Sequence, residues 1–568
     1  METMDSKQVR EMLLACADRI IRNEPYLTKV DSEIGDGDHG IGMKNGMKAV
    51  KAYLEKAVDE KNVYALYANM AEAMQEAMGG ASGMIFSTLF SGKAAEKAPA
   101  EELTPEDLAN QMRDGLKAIQ DLGHAQVGDK TMVDALSPAV DAMLADTSSF
   151  DAMFRGARQA AYEGMEKTKE YVARFGRAKS LMERAKGHQD AGATSTWLIL
   201  TEMYDYVSGK KTPDPELAAE EKSDGAEHSA KWKKKIINDP ADVVREEGEG
   251  FLAAFGKTIA AVPGVNGLVK KDIPDGKTAL VIGGGSGHEP MFGFFLGENL
   301  ADAAANGNVF ASPDPVTVTK TAEAANRGGG VMFLYGNYAG DNLNFDKAAE
   351  NLEKEGIPVR TVRVWDDIAS APRERLTDRR GIAGDVLMLK IAGAACAKLP
   401  LDEAYRVAVK ARDNLYSIGV GIEGATIPGQ KDPIFTLPAD EMEYGLGIHG
   451  EPGIQRIKMQ TADEIAENLF SAIVRESDLK AGDTVCTHGT HDTQPQTQNA
   501  AGRGGHYRTR HGRQQPCHHH GNGRSLHLGD EDGRGASRIL RHALRQPLLY
   551  KTLRKEGTYH ENSYRMRP

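Results

Sequence analysis

The spacing of apolar residues predicts that the first 205 or so residues form α-helices. In residues 5–22, apolar side chains recur three and four positions apart, as expected for one buried helical face. Asp5 or Ser6 can cap the start of this helix. Residues 63–78, 150–174 and 193–206 show a similar character, and the first of these segments is rich in Ala and Met.

A different pattern begins near residue 235, after a polar and highly charged stretch at 208–234 that is typical of a linker. Short segments rich in Val, Leu and aromatic residues alternate with helical ones. The predicted strands are 278–282, 331–335 and 359–365, and the predicted helices between them are 316–326 and 345–355. This alternation predicts a mainly parallel sheet covered by helices.

The pattern ends after Cys486. Residues 487–568 hold 14 Lys and Arg against 6 Asp and Glu, with 10 of the 16 histidines, whereas the remaining chain has a net charge of −20. A native basic arm that binds RNA is one explanation. We favour a reading-frame slip near residue 487, which resequencing of the coding DNA would test. We expect this tail to be poorly ordered and to be removed first in limited proteolysis.

Composition excludes several classes of protein. Apolar residues make up 40% and charged residues 27% of the 568 residues, so large hydrophobic cores can form. No apolar run approaches the roughly 20 residues that span a bilayer, and the N-terminus does not resemble a signal peptide. The four cysteines lie far apart, which argues against disulfides or a zinc ribbon. We therefore expect a cytoplasmic protein without a membrane partner. We do not expect a nucleic-acid partner, because we favour the reading-frame slip over a basic arm.

An acidic loop, VDSEIGDGDHG at residues 30–40, is the first candidate for chemistry. Asp31, Asp36 and Asp38 supply three carboxylates within eight residues, and such oxygen ligands suit Mg²⁺ or Ca²⁺. The spacing excludes an EF-hand, because Ile41 and Met47 stand where that motif needs Gly and Glu. The alternative is an acidic turn that binds nothing.

Glycine-rich segments form a second group: GGASG at 79–83, GDKT at 128–131, and residues 176–195. Such turns beside helix N-termini present backbone N–H groups to phosphates. None is a Walker loop, and each alone could be a helix C-cap or an ordinary loop. Together with the acidic loop and the basic residues Lys130 and Arg177, they indicate a magnesium–nucleotide site.

Two predicted strands run into polar turns in the second half of the chain. TALVIGGGSGHEP places His288 after one strand, and YGNYAGDNLNF places Asp341 after the next. The carboxyl ends of parallel strands are where ligands bind, so both residues are candidates for acid–base work. His449, in GIHGEPG, is interpreted as structural, and Cys16 and Cys396 as core residues.

Taken together, these strings resemble the dihydroxyacetone kinase family. IGDGDHG, GGASG, GDKTM and GHQDAGA resemble its nucleotide-binding L domain, while GGGSGHEP, ASPDP, GNYAGDNLNF and EMEYGLGIHGEPGI resemble its substrate-binding K domain. The resemblance implies an all-α helical barrel of eight helices at 1–207, a linker at 208–234, a mainly parallel α/β domain at 235–486 and an irregular tail at 487–568. This order, L before K, is the reverse of the usual single-chain kinase. We also expect a homodimer formed through the K domain.

The implied activity is ATP-dependent phosphorylation of a hydroxyl of a small polyhydroxy ketone, either dihydroxyacetone or a short ketose such as erythrulose. Asp31, Asp36 and Asp38 would hold two Mg²⁺ ions. The residues that would line the nucleotide pocket are His39, Gly40, Ala81, Ser82, Thr131, Met132, Arg177, Asp190, Ala191 and Gly192. Phosphoenolpyruvate-dependent transfer stays open, but fusion of the two domains without a third carrier domain favours ATP.

In the K-type part, Asp341 resembles the base that accepts the hydroxyl proton, and His288 its hydrogen-bonding partner on the substrate. Gly285, Ser286 and Gly287 would contact the substrate through their turn. Tyr416 departs from the family, which usually has at that position a histidine that adds covalently to the ketone. A phenol cannot form that adduct, so Tyr416 would bind substrate by a hydrogen bond instead. Restoring histidine there should shift preference toward dihydroxyacetone.

Two other functions stay open at this point. One is a ligand-binding regulatory relative without catalysis, and the other is an FAD-AMP lyase that forms cyclic FMN. Retention of the three acidic-loop aspartates and of Asp341 favours the kinase, because a sensor has no need of phosphoryl-transfer groups.

Overall fold

The computed structural model describes residues 2–35, 37, 39–215, 236–430, 433–480, 483–486 and 526–527. The predicted linker lies outside the described residues from 216 onward, and the predicted tail lies outside them except for Leu526 and His527. None of the helices in the described ranges combines the length and apolar content that a bilayer-spanning segment requires.

The N-terminal part is helical, with two short strands, β1 (Met4–Asp5) and β2 (Glu102–Leu103), that pair antiparallel. The α-helices that the structure describes here are α1 (Ser6–Arg22), α2 (Glu24–Ser32), α3 (His39–Lys56), α4 (Val63–Met78), α5 (Gly80–Ser91), α6 (Pro105–Gly123), α7 (Val133–Ala145), α8 (Phe150–Lys167) and α9 (Ala191–Ser208). Eight of them close into a ring. From α3 to α9 each helix packs against the next, and α1 contacts both α3 and α9. Buried Met, Leu, Ala and Phe side chains form one continuous core, which confirms the helical barrel.

The predicted helix boundaries hold best where a cap is present. The Asp5 carboxylate accepts a hydrogen bond from the Gln8 N–H at 2.8 Å, and the Gln8 side chain accepts one from the Asp5 N–H at 3.0 Å, which fixes the start of α1. In contrast, the helix predicted at 150–174 ends at Lys167. The chain changes direction there because Lys130, which is buried, donates from its Nζ to the carbonyl oxygen of Thr168.

Gly164→Ala is expected to destabilise the helical barrel. A Cβ atom at Gly164, inside α8, would lie 2.1 Å from the backbone oxygen of Asp134, so α7 and α8 would have to separate at a cost of about 1–3 kcal/mol. Gly156→Ala on the same helix is the control, because its nearest new contact is 3.7 Å from Ala142 Cβ, and it should gain roughly 0.4–1 kcal/mol. Urea unfolding followed by circular dichroism compares them, and equal midpoints would contradict the expected crowding.

The C-terminal part alternates strands and helices. The helices are α10 (Val243–Phe255), α11 (Pro315–Ala325), α12 (Ala339–Lys354), α13 (Asp385–Cys396), α14 (Leu401–Arg412) and α15 (Ala462–Glu476). The strands are β3 (Ile259–Val262), β4 (Gly267–Lys270), β5 (Ala279–Ser286), β6 (Ala303–Val309), β7 (Val331–Gly336), β8 (Val359–Val364), β9 (Val420–Gly421), β10 (Glu441–Tyr444), β11 (Gln455–Lys458), β12 (Thr484–Val485) and β13 (Leu526–His527).

The central sheet has six strands in the order β3-β4-β6-β5-β7-β8. Strands β6, β5, β7 and β8 are parallel, whereas β3 and β4 pair antiparallel at one edge. A smaller antiparallel sheet is formed by β9, β10 and β11, and β12 pairs with β13. The mainly parallel α/β domain predicted from the sequence is confirmed.

Helices cover both faces of the central sheet. Val281 and Phe333 point into one core, which includes residues of α11 and α12. Their neighbours Ile282 and Leu334 point into the other, which includes residues of α13 and α14. A parallel sheet buried on both faces has few polar positions along its strands, so the polar residues gather where the strands end.

Two boundaries near those strand ends differ from prediction. Strand β5 continues through its glycines to Ser286, because a Cβ at Gly283 would lie 2.4 Å from the Ala305 carbonyl oxygen and only glycine allows that approach. Helix α12 begins at Ala339, six residues before the predicted start at 345. Asp341 therefore lies in the first turn of a helix.

Candidate active site between the two domains

A cavity of about 1380 Å³ lies between the helical barrel and the α/β domain, and both line it. Its walls meet at a close contact, where the Gly80 N–H at the start of α5 donates to the Ser312 carbonyl oxygen at 2.9 Å. A Cβ at Gly340, in α12, would lie 3.1 Å from the Ala81 backbone nitrogen. An ion pair between Lys179 and Asp378, 3.1 Å apart, joins the domains farther along.

On the barrel side, the first turns of three helices reach the cavity: α3, α5 and α9. Backbone N–H groups at helix N-termini and the helix dipole attract anions such as phosphates. The predicted nucleotide residues that line the cavity are His39, Ala81, Ser82, Thr131, Met132, Asp190, Ala191 and Gly192. Gly40 is buried behind the lining, and the side chain of Arg177 lies outside the described atoms.

His39 joins the starts of these three helices. It begins α3, its Nε2 lies 2.8 Å from Ser195 Oγ on α9, and its Nδ1 lies 3.4 Å from Ser82 Oγ on α5. Burial lowers the pKa of His39, although the Asp31 charge opposes this. His39 therefore connects three backbone segments as a neutral ring.

Of the three aspartates in the acidic loop, Asp31 lies within the described residues. It lies near the end of α2, lines the cavity, and accepts a hydrogen bond from the His39 N–H at 3.3 Å. Asp36 and Asp38 lie outside the described residues. Among the residues that the structure does describe, no three candidate metal ligands cluster together. A carboxylate beside three helix N-termini fits a divalent cation bound together with phosphate oxygens.

A buried polar network supports this wall. Lys130 Nζ donates to the carbonyl oxygens of Thr168 and His188, at 2.6 and 2.5 Å. Asp134 accepts hydrogen bonds from the N–H groups of Gly128 and Thr131, both at 2.6 Å. Thr131 is thus fixed by its backbone, and the hydrogen bonds to Asp134 fix the shape of the 128–131 loop.

Asp190 is the N-cap of α9 and accepts a hydrogen bond from the Ala193 N–H at 2.7 Å. Burial is the main cause that raises the pKa of Asp190 to about 7, and the charges of Asp134 and Asp31 add to it. Asp190 therefore gains a proton in the physiological pH range instead of staying ionised as an exposed aspartate does.

Asp190→Asn is expected to change how stability depends on pH. Because the carboxyl's pKa is higher in the folded state than in the unfolded one, wild-type stability should fall as pH rises from about 4 to about 7 and then level off. The variant lacks this fall, so it should be more stable at pH 8, by at most on the order of 4 kcal/mol. Thermal unfolding across pH measures the difference in stability. Asp314→Asn at the N-cap of α11 is the control, because it measures the stability change from replacing a capping aspartate by asparagine. Parallel curves for wild type and Asp190→Asn would contradict the expectation.

On the α/β side, the cavity is lined where β5 and β7 end. Gly285 lies at the end of β5, and His288 follows that strand. Asp341 is the third residue of α12, the helix that follows β7. The α12 N-terminus favours a negative charge at Asp341. Asp385, in the first turn of α13, also lines the cavity. Burial raises its pKa well above the usual range, and the charges of Asp366 and Asp341 contribute.

Ser286 and Gly287, predicted to contact substrate, lie behind the lining. The Ser286 hydroxyl donates to the Gly307 carbonyl oxygen at 2.8 Å, and Gly287 has a φ of +92°. Their position shapes the turn that carries His288.

His288 contacts a histidine that the sequence favoured as structural. Its Nε2 lies 3.0 Å from Nε2 of His449, and its Nδ1 lies 2.7 Å from the Gly285 carbonyl oxygen. His449 lines the cavity and its Nδ1 lies 3.0 Å from Glu451 Oε1. The two histidines are 161 positions apart in sequence, so no local pattern could have paired them. The His449–Glu451 contact could have been predicted, because the two residues are only two positions apart in GIHGEPG.

Comparison with known proteins agrees with this division into two walls. The DAK2 domain family matches residues 33–205 and the Dak1 domain family matches residues 249–489. The chain is 40% identical over 255 residues to the dihydroxyacetone-binding subunit DhaK of PTS-dependent dihydroxyacetone kinase 2 from Listeria innocua, covering 76% of that protein and 44% of this chain. The chain belongs to the dihydroxyacetone kinase family.

Two erythrulose kinases are somewhat more similar, but over a smaller share of their own length. L-erythrulose kinase of Pectobacterium atrosepticum is 44% identical over 42% of this chain and 41% of that protein. L-erythrulose 1-kinase of Mycolicibacterium smegmatis is 47% identical over 42% of each. The chain thus spans about two fifths of these relatives. The crystal structure of the dihydroxyacetone kinase of C. freundii matches 43% of this chain and 45% of its own at 31% identity, with a TM-score of 0.41.

Tyr416, at the position where the family usually has its ketone-binding histidine, is half-buried in the segment before β9. It is not among the residues that line the cavity. The Ser417 N–H donates to the Asp366 carbonyl oxygen at 2.7 Å, and the Ile368 N–H donates to that of Ser417 at 3.0 Å. Tyr416 therefore adjoins the 366–371 segment, part of which forms the cavity wall.

Proposed function

We propose that this chain transfers a phosphoryl group from magnesium-bound ATP to a hydroxyl of a short polyhydroxy ketone. The observation that carries this proposal is the shared cavity, in which three helix N-termini form one wall while Asp341 and His288 belong to the other. Phosphoryl transfer needs little covalent chemistry from the protein and depends on positioning and charge. A cavity built from both domains supplies that arrangement.

The barrel wall would bind the nucleotide. The first turns of α5 and α9 line the cavity, and N–H groups at helix N-termini suit phosphate oxygens. Ser82 and Thr131 add hydroxyl groups. Asp31, with Asp36 and Asp38 of the same loop, would hold Mg²⁺, which neutralises phosphate charge when it is bound. That two ions bind is part of this proposal.

The α/β wall would bind the acceptor. In the proposed step, the acceptor hydroxyl gives its proton to Asp341 as its oxygen bonds to the γ-phosphorus, while the bond to the β-phosphate oxygen breaks and ADP leaves. The erythrulose kinases among the relatives support a ketose of three or four carbons as acceptor. Substrate selection by Tyr416 and dimerisation through the α/β domain stay predictions.

The test is ADP release from Mg-ATP by the purified full chain, with dihydroxyacetone, with erythrulose and without an acceptor. We expect ADP formation that depends on the ketone, and the ratio of kcat/KM between ketones gives the preferred acceptor. Nucleotide binding without ketone-dependent turnover would overturn the proposal in favour of a regulatory relative. Formation of cyclic FMN from FAD would instead identify a lyase.

A further inference from the structure

A buried chain of hydrogen-bonding groups leads away from the acceptor part of the cavity. It begins at His288, passes through His449 and reaches Glu451, with nitrogen–nitrogen and nitrogen–oxygen distances of 3.0 Å each. Glu451 also accepts a hydrogen bond from the His449 backbone N–H at 2.9 Å, and Arg380 Nη1 lies 3.7 Å from it. His449 and Glu451 are 6% exposed, so water screens these contacts little.

The partners at the two ends determine where protons lie. The Gly285 carbonyl oxygen only accepts hydrogen bonds, so His288 Nδ1, 2.7 Å away, must carry a hydrogen. At the other end, burial alone would raise the pKa of Glu451, but His449 and Arg380 outweigh it and hold the pKa below its usual range. Glu451 is therefore ionised and accepts a hydrogen from His449 Nδ1.

One more hydrogen must lie between the two rings. The Nε2 atoms of His288 and His449 are 3.0 Å apart, a distance that two lone pairs cannot share without a proton between them. The two imidazoles then hold three hydrogens on four nitrogens. Since two neutral imidazoles hold only two, the pair carries one positive charge, whichever ring the shared proton is assigned to.

We propose that His449 and Glu451 are positioning residues that keep this shared proton, and with it a fixed positive charge, on the His288–His449 pair in the wall of the acceptor site. The catalytic part rests on the proposed kinase function. There, the charge favours the ionised form of the base Asp341 and the negative charge that builds up as the phosphoryl group is transferred. The shared proton itself does not depend on that function.

Aromatic rings enclose the histidine pair. Phe310 lies against both rings, with centroids 5.0 Å from His288 and 5.3 Å from His449, and the Tyr338 ring lies 5.0 Å from His449. Burial raises the pKa of Tyr338 well above its usual range, so the phenol stays neutral. The charged and titratable groups around the pair are Glu451 and Arg380 behind it, Asp367 bound to Arg380, Glu289 next in the chain, and Asp341 and Asp385 in the same cavity.

The first test observes the proton directly. NMR spectra of the full chain, labelled with ¹⁵N-histidine, are recorded between about pH 5 and pH 9, the range in which histidines titrate. We expect one low-field N–H signal that is coupled to two histidines, disappears in His449→Gln and persists in Glu451→Asp. His188→Gln is the control, since His188 pairs with Glu33 at 2.9 Å on the surface, and should keep the signal. Two separately titrating rings without a shared signal in wild type would overturn the proposal.

The second test measures the consequence for turnover. Glu451→Gln removes the negative charge that retains the proton, so the alkaline fall of kcat should move by about 1–3 pH units to lower pH, with nucleotide KM unchanged. Glu451→Asp should restore the wild-type profile, which a merely structural role would not explain. An unmoved profile in Glu451→Gln, with turnover present, would overturn the catalytic part. Absence of ketone-dependent turnover in wild type would instead refute the kinase function. The NMR result alone would then show whether the two histidines share a proton.

Discussion

Asp341→Asn is expected to lower kcat by a factor of roughly 10²–10⁴ while the protein keeps its fold and its nucleotide affinity. The amide has nearly the same shape as the carboxylate but cannot accept a proton from the acceptor hydroxyl. Asp341 lies in the first turn of α12 and lines the cavity, so its replacement does not disturb a hydrophobic core. Steady-state kinetics with saturating ketone, and binding of Mg-ADP by calorimetry, separate the two quantities.

Asp346→Asn is the matched control for this variant. Asp346 lies on the same helix, but its carboxylate is half-exposed and accepts hydrogen bonds from Arg363 at 2.6 Å. An exposed ion pair of this kind contributes about 0–1 kcal/mol, and turnover should stay near wild type. Equal kcat in Asp341→Asn and Asp346→Asn would show that Asp341 is not the base.

Gly340→Val is expected to lower kcat by about 10²-fold by pushing the two walls of the cavity apart. Gly340 packs against the start of α5, and a Cβ there would lie 3.1 Å from the Ala81 nitrogen and 3.3 Å from Ser312 Cβ. The larger valine cannot fit without separating α5 from α12. Because donor and acceptor must meet at near-contact distance, a shift of about 1 Å is enough for this loss.

Gly340→Ala serves as the graded control, since its single methyl group needs only a small adjustment of its neighbours. We expect an order of kcat of Gly over Ala over Val, with the affinity for Mg-ADP unchanged, because the nucleotide groups belong to the barrel. Loss of nucleotide affinity in step with kcat would show that the substitution damages the barrel wall instead of the spacing.

Prediction from sequence succeeded where local patterns decide the structure. The apolar spacing and the Asp5 cap located α1 to within one residue, and Val63–Met78 forms α4 over the whole predicted range. It failed where tertiary contacts override local preference. The segment before Phe345 is rich in Gly and Asn and resembles a loop, yet it forms the first turns of α12 because it packs against α5.

The residues of the candidate site show the same contrast between local patterns and tertiary contacts. Glycine-rich turns and strand ends led to predicted residues that do line the cavity, among them Ala81, Asp190 and His288, because backbone shape at those places is encoded locally. Tyr416 is not among the lining residues although the resemblance linked it to substrate, and His449 lies in the wall although its sequence suggested a structural role. Both positions depend on how the 366–371 and 445–451 segments pack against the sheet, which residues distant in the chain determine.

The cavity whose walls come from two domains of one chain has a consequence for dilution. Since residues 216–235 join the barrel to the α/β domain covalently, each wall experiences its partner at an effective concentration set by chain length, on the order of millimolar for short linkers. Two separate proteins would need comparable concentrations to form contacts such as the Gly80–Ser312 and Lys179–Asp378 pairs to the same extent. Because the connection is covalent, the two walls associate within one molecule, and dilution of the protein does not shift that association.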